Sequence, residues 1–78
     1  MKKVNVLLST IVDVRDFVNA VVAFRGDVDL ASGRYVVDGK SNMGIFSLDL
    51  LHPIEMTIHG EAGADELLAR IERFIVAE

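Results

Sequence analysis

Hydroxyl side chains at predicted helix starts are the groups in this sequence best suited to chemistry. Ser41 follows the turn pair Asp38-Gly39 and precedes a short apolar stretch, residues 42–48, so it is predicted to cap one or two helical turns. A phosphoryl group on Ser41 would add negative charge at the positive end of that helix, so such a modification is compatible with the cap. Thr10 stands three residues before an aspartate, which is the spacing of a capping box at a helix start.

Imidazole chemistry is limited to two histidines, His52 and His59. His52 precedes Pro53 in a predicted loop, and His59 ends a predicted strand, so both side chains are expected to be solvated. Neither lies in a carboxylate-rich motif, and the sequence contains no cysteine. We therefore predict no metal site and no cofactor.

Length and composition restrict the class of protein. With 78 residues, of which 51% are hydrophobic, residues 1–78 are expected to form a single domain. The net charge is −4 and the longest basic run is Lys2-Lys3, so a nucleic-acid partner is not expected. No apolar run approaches the about 18–20 residues that span a bilayer, so we expect a cytoplasmic protein that does not contact the membrane.

The first half of the chain shows both strand and helix periodicities. Alternating apolar residues predict a strand over residues 3–8, and three- and four-residue apolar steps from Ile11 to Val22 predict a helix that ends at Gly26. Two short strands around Ser32-Gly33 then predict a hairpin that extends to Val37.

The second half completes an α+β pattern. Pro53 opens a strand over residues 54–58, and an amphipathic helix is predicted from Asp65 to Val76. The predicted order is β-α-β-β-α-β-α. This order favours a four-stranded, mostly antiparallel sheet with helices packed on one face.

The stretch KSNMGIFSL, residues 40–48, resembles the KSIMGVMSL stretch of HPr, the phosphocarrier of the bacterial sugar phosphotransferase system. Residues 57–61, TIHGE, are similar to the T-I-x-A-E-G-E segment of that family, in a slightly shortened form. Phe17-Val18 resembles the F-V pair of the family's first helix, and the closing helix falls in the expected place. The resemblance covers most of the chain and implies the HPr-like open-faced β-sandwich.

The resemblance breaks down where HPr carries its phosphoryl group. The family uses a histidine in a G-L-H-A-R-P motif, whereas this chain reads Leu8-Ser9-Thr10-Ile11-Val12-Asp13. By the resemblance, Thr10 occupies the position of the histidine, Val12 that of the arginine and Asp13 that of the proline. A carboxylate in the first turn of the helix opposes a bound phosphate. The catabolite-repression HPr homologue, which also lacks the histidine and keeps the serine, is the nearest precedent in the family.

The resemblance therefore implies a regulatory module that binds proteins and is not an enzyme in its own right. Ser41 would be modified by HPr kinase/phosphorylase, and the modified surface would be read by phosphotransferase-system components or a transcriptional regulator. Met43, Ile45 and Arg15 are the candidate partner contacts. Two alternatives stay open: a working phosphocarrier that uses another acceptor residue, and a structural or assembly module, for instance a homodimer.

Two side-chain placements also stay open. Arg15 either swings toward the start of the helix, replacing the missing arginine, or lies in solvent beside Asp16. Phe46 and Leu48 either fill the core or extend an exposed apolar patch with Met43.

Overall fold

The computed structural model describes residues 2–76, which form five strands and three α-helices. The elements in chain order are β1 (Lys2–Val6), α1 (Ile11–Val22), β2 (Val28–Ser32), β3 (Tyr35–Asp38), α2 (Asn42–Phe46), β4 (Ile54–Ile58), α3 (Ala64–Arg70), a 3₁₀ turn (Glu72–Phe74) and β5 (Ile75–Val76). None of the helices in this described part is long and apolar enough to cross a membrane.

The strands form one antiparallel sheet in the order β3-β2-β4-β1-β5. Its register places Val6 opposite Ile54 and Leu30 opposite Met56, and these four side chains are fully buried. Successive side chains point to opposite faces of a strand, so these four side chains lie on one face of the sheet. That face is the one covered by the rest of the chain. The other face carries polar residues such as Glu55. The predicted α+β open-faced sandwich is confirmed, with a fifth strand added to the four expected.

The helices complete the core over the covered face of the sheet. α1 buries Val14, Phe17, Val18 and Val21, which recur at three- and four-residue steps. Phe17 meets Phe74 edge to face, with ring centroids 6.0 Å apart. No polar or charged residue among residues 2–76 is buried, so the core is held by apolar packing.

The end of the chain differs from the predicted helix Asp65–Val76. α3 ends at Arg70, and the chain then passes through the 3₁₀ turn into β5. Ile75 pairs with Val6 of β1, and the carbonyl of Phe74 accepts a hydrogen bond of 2.8 Å from Leu7 N–H. A continued helix would give up this pairing with β1, and β-branched Ile75 and Val76 suit a strand.

Gly26 has a different role from the predicted helix end. α1 ends at Val22, and Ala23 closes it in right-handed backbone geometry. A Cβ on Gly26 would stand 2.3 Å from the carbonyl oxygen of His59 and 2.7 Å from the Phe24 ring. Gly26 is thus required for the close approach of two loops. The strand predicted over residues 3–8 spans Lys2–Val6.

Candidate functional site

The start of α1 is closed by a local hydrogen-bond arrangement. Thr10 has extended backbone geometry, and its Oγ1 accepts a hydrogen bond of 3.0 Å from Asp13 N–H. Asp13 Oδ2 in turn accepts a hydrogen bond of 3.1 Å from Ser9 N–H. The predicted cap is confirmed, although the carboxylate reaches the residue before the cap and not the cap itself. Thr10 therefore has a full structural role at the position where the resemblance expects a phosphoryl acceptor.

Arg73, from the far end of the chain, lies beside this helix start. A depression of 210 Å³ is lined by Ser9, Asp13 and Arg73, among others. Arg73 Nη2 donates a hydrogen bond of 2.7 Å to Asp16 Oδ2, and its guanidinium stacks 4.4 Å from the Phe74 ring centre. No sequence pattern marks Arg73 as a site residue. Its partner is 57 residues away, and the predicted helix would have placed Arg73 on a solvated face.

Arg15 takes the second of its two predicted arrangements. Its Nη2 lies 3.5 Å from Asp16 Oδ1, and the side chain is exposed. Arg15 and Arg73 therefore share the carboxylate of Asp16. Because that carboxylate offsets the positive charge near the helix start, and Asp13 adds a negative charge there, an incoming phosphate gains little electrostatic stabilisation.

The two histidines lie at opposite ends of the sheet. His52 is close to the end of β1, because Pro53 leads into Ile54, which pairs with Val6. Its Nε2 is 3.7 Å from Asp49 Oδ2, and the side chain is exposed. His59 follows β4 at the other end, where its Nε2 lies 2.8 Å from Asp29 Oδ2. His59 is therefore in contact with β2 through Asp29. Residues 2–76 contain no cluster of three side chains that could hold a metal ion.

Ser41 caps α2 as the sequence predicts. Its Oγ accepts a hydrogen bond of 3.1 Å from Gly44 N–H, and its own N–H donates to the Asp38 carbonyl at 3.1 Å. The side chain is half-buried and directly follows Lys40. Since α2 has five residues, its dipole is short, and Lys40 is the nearest cation along the chain.

The exposed side of α2 is apolar. Met43 is 85% exposed and Phe46 is 47% exposed, and their three-residue spacing places them on one side of the helix. We call these two residues the α2 patch. Ile45, by contrast, is fully buried, so its prediction as a partner contact is wrong. It points into the core on the same side as Leu48, three residues later, and that side of a short amphipathic helix cannot also face a partner.

The start of α1 adds a second exposed apolar pair. Ile11 is 75% exposed and Val12 is 50% exposed, and α1 packs against α2. The three- and four-residue apolar steps predict that Ile11 and Val22 belong to the apolar face of the helix. Both are terminal residues of the helix, and both are exposed.

Two solved structures share this architecture. HPr-C-His from Thermoanaerobacter tengcongensis superimposes with a TM-score of 0.79 and 20% sequence identity, over 94% of this chain and 89% of that one. The phosphocarrier protein HPr from Bacillus anthracis str. Ames gives a TM-score of 0.66 and 28% identity, over 96% of this chain and 94% of that one. The fold is that of HPr. No protein-family model matches the sequence, and no curated protein gives a significant match.

This likeness confirms the predicted fold and the resemblance of the chain to HPr. The HPr fold relates the chain to the phosphocarriers of the phosphotransferase system. On that fold, Thr10 lies at the start of α1 and Ser41 lies at the start of α2.

Proposed function

We propose that this chain is an HPr-like regulatory protein that binds other proteins and has lost the phosphoryl-accepting histidine. The observation that carries the proposal is the closed start of α1. Thr10 is occupied as a cap, Asp13 puts a carboxylate beside it, and residues 7–16 contain no histidine. A phosphocarrier needs a nucleophile at such a position and positive charge to hold the transferred group. We further propose that residues 1–78 act as one domain in the cytoplasm.

Ser41 is the proposed site of regulation. A phosphoryl group on Oγ would add about 1.5–2 negative charges beside Lys40 and the first N–H groups of α2. Phosphate oxygens can accept the Gly44 N–H bond that Oγ accepts now, so the modification is compatible with the cap. The charge would appear at the helix that carries the α2 patch, so it would change what binds there.

The proposed docking surface consists of the α2 patch, the Ile11 and Val12 pair, and Arg15. Exposed apolar side chains on a small protein mark sites of protein contact, and Met is common at such surfaces. By the HPr likeness, the partners are HPr kinase/phosphorylase, phosphotransferase-system proteins or a transcriptional regulator. Ile45 is no longer part of this surface.

The regulatory proposal is tested by incubating the chain with HPr kinase/phosphorylase and ATP. Intact-mass measurement should show one added phosphoryl group on the wild type and none on Ser41→Ala. The matched control is Ser47→Ala, which removes an exposed hydroxyl near the end of the same helix. That variant should be modified like the wild type. Unmodified wild type, or equal modification of Ser41→Ala, would overturn the assignment of Ser41.

The docking surface is tested by measuring the binding of the same enzyme to surface variants. We expect Met43→Ser and Phe46→Ser each to raise the dissociation constant about tenfold, because truncating a buried contact residue at an interface costs more than about 1 kcal/mol. Leu51→Ser is the control, since Leu51 is 87% exposed and lies outside α2. An equal effect of all three substitutions would contradict docking at the α2 patch.

The structural or assembly alternative predicts a different result. Under that alternative Ser41→Ala changes stability but not partner binding, and Ser41→Asp behaves in the same way. Under the regulatory proposal, Ser41→Asp changes binding of the partner relative to Ser41→Ala, because only Asp adds charge at the start of α2. Isothermal titration with one partner and both variants separates the two.

A further inference from the structure

Strand β3 is an edge strand of the sheet, and two of its apolar side chains are exposed to solvent. In residues 2–76, β3 pairs only with β2. Tyr35 and Val36 are 70% and 65% exposed. Such an edge is a template for another strand unless charges or a proline block it. In β3 the apolar residues lie between Arg34 and Asp38, and the opposite charges of these two residues determine which strand can pair with this edge.

The direction of the backbone groups of β3 follows from one hydrogen bond. Gly39 N–H donates to the Val28 carbonyl at 2.8 Å, which identifies Gly39 as a position that bonds to β2. Such positions alternate in an antiparallel pair, so Val37 and Tyr35 also bond to β2. The N–H groups of Val36 and Asp38 therefore point away from β2, toward the open edge.

We propose that this edge pairs with β3 of a second copy of the chain, antiparallel, with a two-fold axis at Val36. Two conditions restrict the register. First, the axis is perpendicular to the sheet, so residues opposite each other must lie on the same face. Second, only backbone N–H and carbonyl groups that point away from β2 can form hydrogen bonds across the edge. An axis at Val36 meets both conditions, because Val36 exchanges N–H and carbonyl bonds with the partner's Val36. Axes at Tyr35 and Val37 also let outward-pointing groups meet. An axis at Val37, however, places Arg34 opposite the partner's Lys40, a like charge, and an axis at Tyr35 leaves Arg34 and Asp38 without a charged residue opposite them.

Charge selects between the registers that remain. With the axis at Val36, exposed Arg34 lies opposite the partner's Asp38, and the two-fold axis repeats the pair. Moving the axis two residues, to Asp38, would place two Asp38 carboxylates opposite each other. Moving it the other way leaves only the hairpin turn at Gly33 and Arg34 in contact. The edge is thus self-complementary in one register.

The same register also pairs the side chains on the helix-covered side. Tyr35 lies opposite the partner's Val37, and an aromatic residue facing a β-branched one is a favourable cross-strand pair. Since β3 has four residues, the joint is short and its interface falls below about 1,200 Å², in the range of weak complexes. We expect a dissociation constant on the order of 0.1 mM. The dimer joins two five-stranded sheets and is independent of the proposed role of Ser41.

Charge exchange at the edge tests this register directly. Sedimentation velocity at about 10 μM to 1 mM should show reversible dimerisation of the wild type, a range that brackets the expected dissociation constant. Arg34→Asp alone and Asp38→Arg alone should each weaken dimerisation at least about tenfold, because each places like charges opposite each other. An equimolar mixture of the two variants should form a heterodimer in which both charge pairs are opposite in sign. Arg25→Asp, an equal charge change in a loop outside β3, should dimerise like the wild type.

Two further measurements do not depend on the charges. Asp38→Arg removes the carboxylate that accepts from Lys40 N–H, so it could loosen the turn. Val36→Pro deletes an outward N–H without breaking the β2–β3 ladder, and it should abolish the dimer while the circular dichroism spectrum is kept. Hydrogen exchange at Val36 and Asp38 should slow as concentration rises, whereas Tyr35 and Val37 stay protected throughout.

A monomeric wild type at about 1 mM, a tenfold excess over the expected dissociation constant, overturns the proposal. So does a dimer that Val36→Pro and Arg34→Asp leave intact.

Discussion

Two hydroxyl groups, those of Thr10 and Ser41, have the same structural role and different surroundings. Each accepts a hydrogen bond from the N–H three residues later, at 3.0 Å and 3.1 Å respectively. Beside Thr10 stands the carboxylate of Asp13, whereas Ser41 follows Lys40. The carboxylate of Asp13 repels an added phosphate, whereas the ammonium group of Lys40 attracts it. The neighbouring charges therefore favour phosphorylation at Ser41 and not at Thr10.

Removal of the Ser41 cap should lower the stability of the fold by a modest amount. We expect Ser41→Ala to reduce the free energy of unfolding by about 1 kcal/mol, since Gly44 N–H loses its acceptor in a half-buried position. Ser47→Ala, whose hydroxyl is exposed and donates to the Gly44 carbonyl, should cost less than about 0.5 kcal/mol. Urea unfolding of the three proteins measures both values. Equal losses would mean that the cap geometry does not determine the stability of α2.

The residue types at the site were predictable to different degrees. The caps at Thr10 and Ser41 follow from local spacing, so the sequence predicts both. The burial of Ile45 does not, because Met43, Ile45 and Phe46 are all apolar and Ile45 points to a different side of the short helix from the other two, so only packing decides which side faces the core. The contact of Arg73 with Asp16 joins distant parts of the chain, and no local pattern signals it.

At the scale of elements, the spacing of apolar residues does not predict the structure of residues 71–76. Ile71, Phe74 and Ile75 fit a helical face, so the pattern extends the helix to Val76. In the structure, Phe74 still reaches the core, but from a 3₁₀ turn, and Ile75 then pairs with Val6. The elements whose patterns are unambiguous, such as the strand over residues 54–58, appear where they were predicted.

Phe74 should be essential to the way this segment docks. It is 4% exposed and packs on Phe17, so we expect Phe74→Ala to reduce the free energy of unfolding by about 3–5 kcal/mol. Val22→Ala is the control, because Val22 is 56% exposed and its substitution should cost less than about 1 kcal/mol. Denaturant unfolding followed by circular dichroism gives both values. A small loss for Phe74→Ala would mean that the 3₁₀ turn and β5 do not close the core.

An ion pair links the first strand to the third helix and predicts a dependence on pH. Lys2 Nζ donates to Asp65 Oδ1 at 2.8 Å, and this hydrogen bond, with the charge of Lys2, lowers the pKa of Asp65 from its usual 3.8. The hydrogen bond and charge of Asp65 raise the pKa of Lys2 from 10.5. Because folding depresses the carboxyl pKa, the pair stabilises the fold above pH 3.8. That contribution is lost as the pH falls through the lowered pKa. At the alkaline end it is present below pH 10.5 and lost as the pH rises through the raised pKa of Lys2.

Thermal unfolding of Asp65→Asn as a function of pH tests this linkage. The variant should lose the part of the acid destabilisation that occurs below pH 3.8 and should match the wild type more closely there than at neutral pH. The difference should be small because the pair is exposed. Glu66→Gln, an exposed neighbour in the same helix, is the control. Parallel pH profiles for wild type and Asp65→Asn would show that the ion pair does not contribute.

At the scale of the whole molecule, the fold is shown by likeness to solved structures, whereas the activity is proposed from the start of α1. The HPr architecture is shared with solved phosphocarriers, and we propose the exposed apolar side chains of α1 and α2 as a surface for protein partners. The β3 edge offers a second surface, for another copy of the chain. At the start of α1, a capping threonine lies beside Asp13, Arg73 pairs with Asp16, and residues 7–16 contain no histidine, and on these observations we propose that the chain does not carry a phosphoryl group.

Phosphoryl transfer from phosphoenolpyruvate tests this central claim most directly. The chain is incubated with the general enzyme of the phosphotransferase system and labelled phosphoenolpyruvate, beside a histidine-containing HPr as positive control. We predict label on the control and no acid-labile label on this chain. Acid-labile label that disappears in His52→Ala or His59→Ala would contradict the claim, and it would identify a working phosphocarrier with a relocated acceptor.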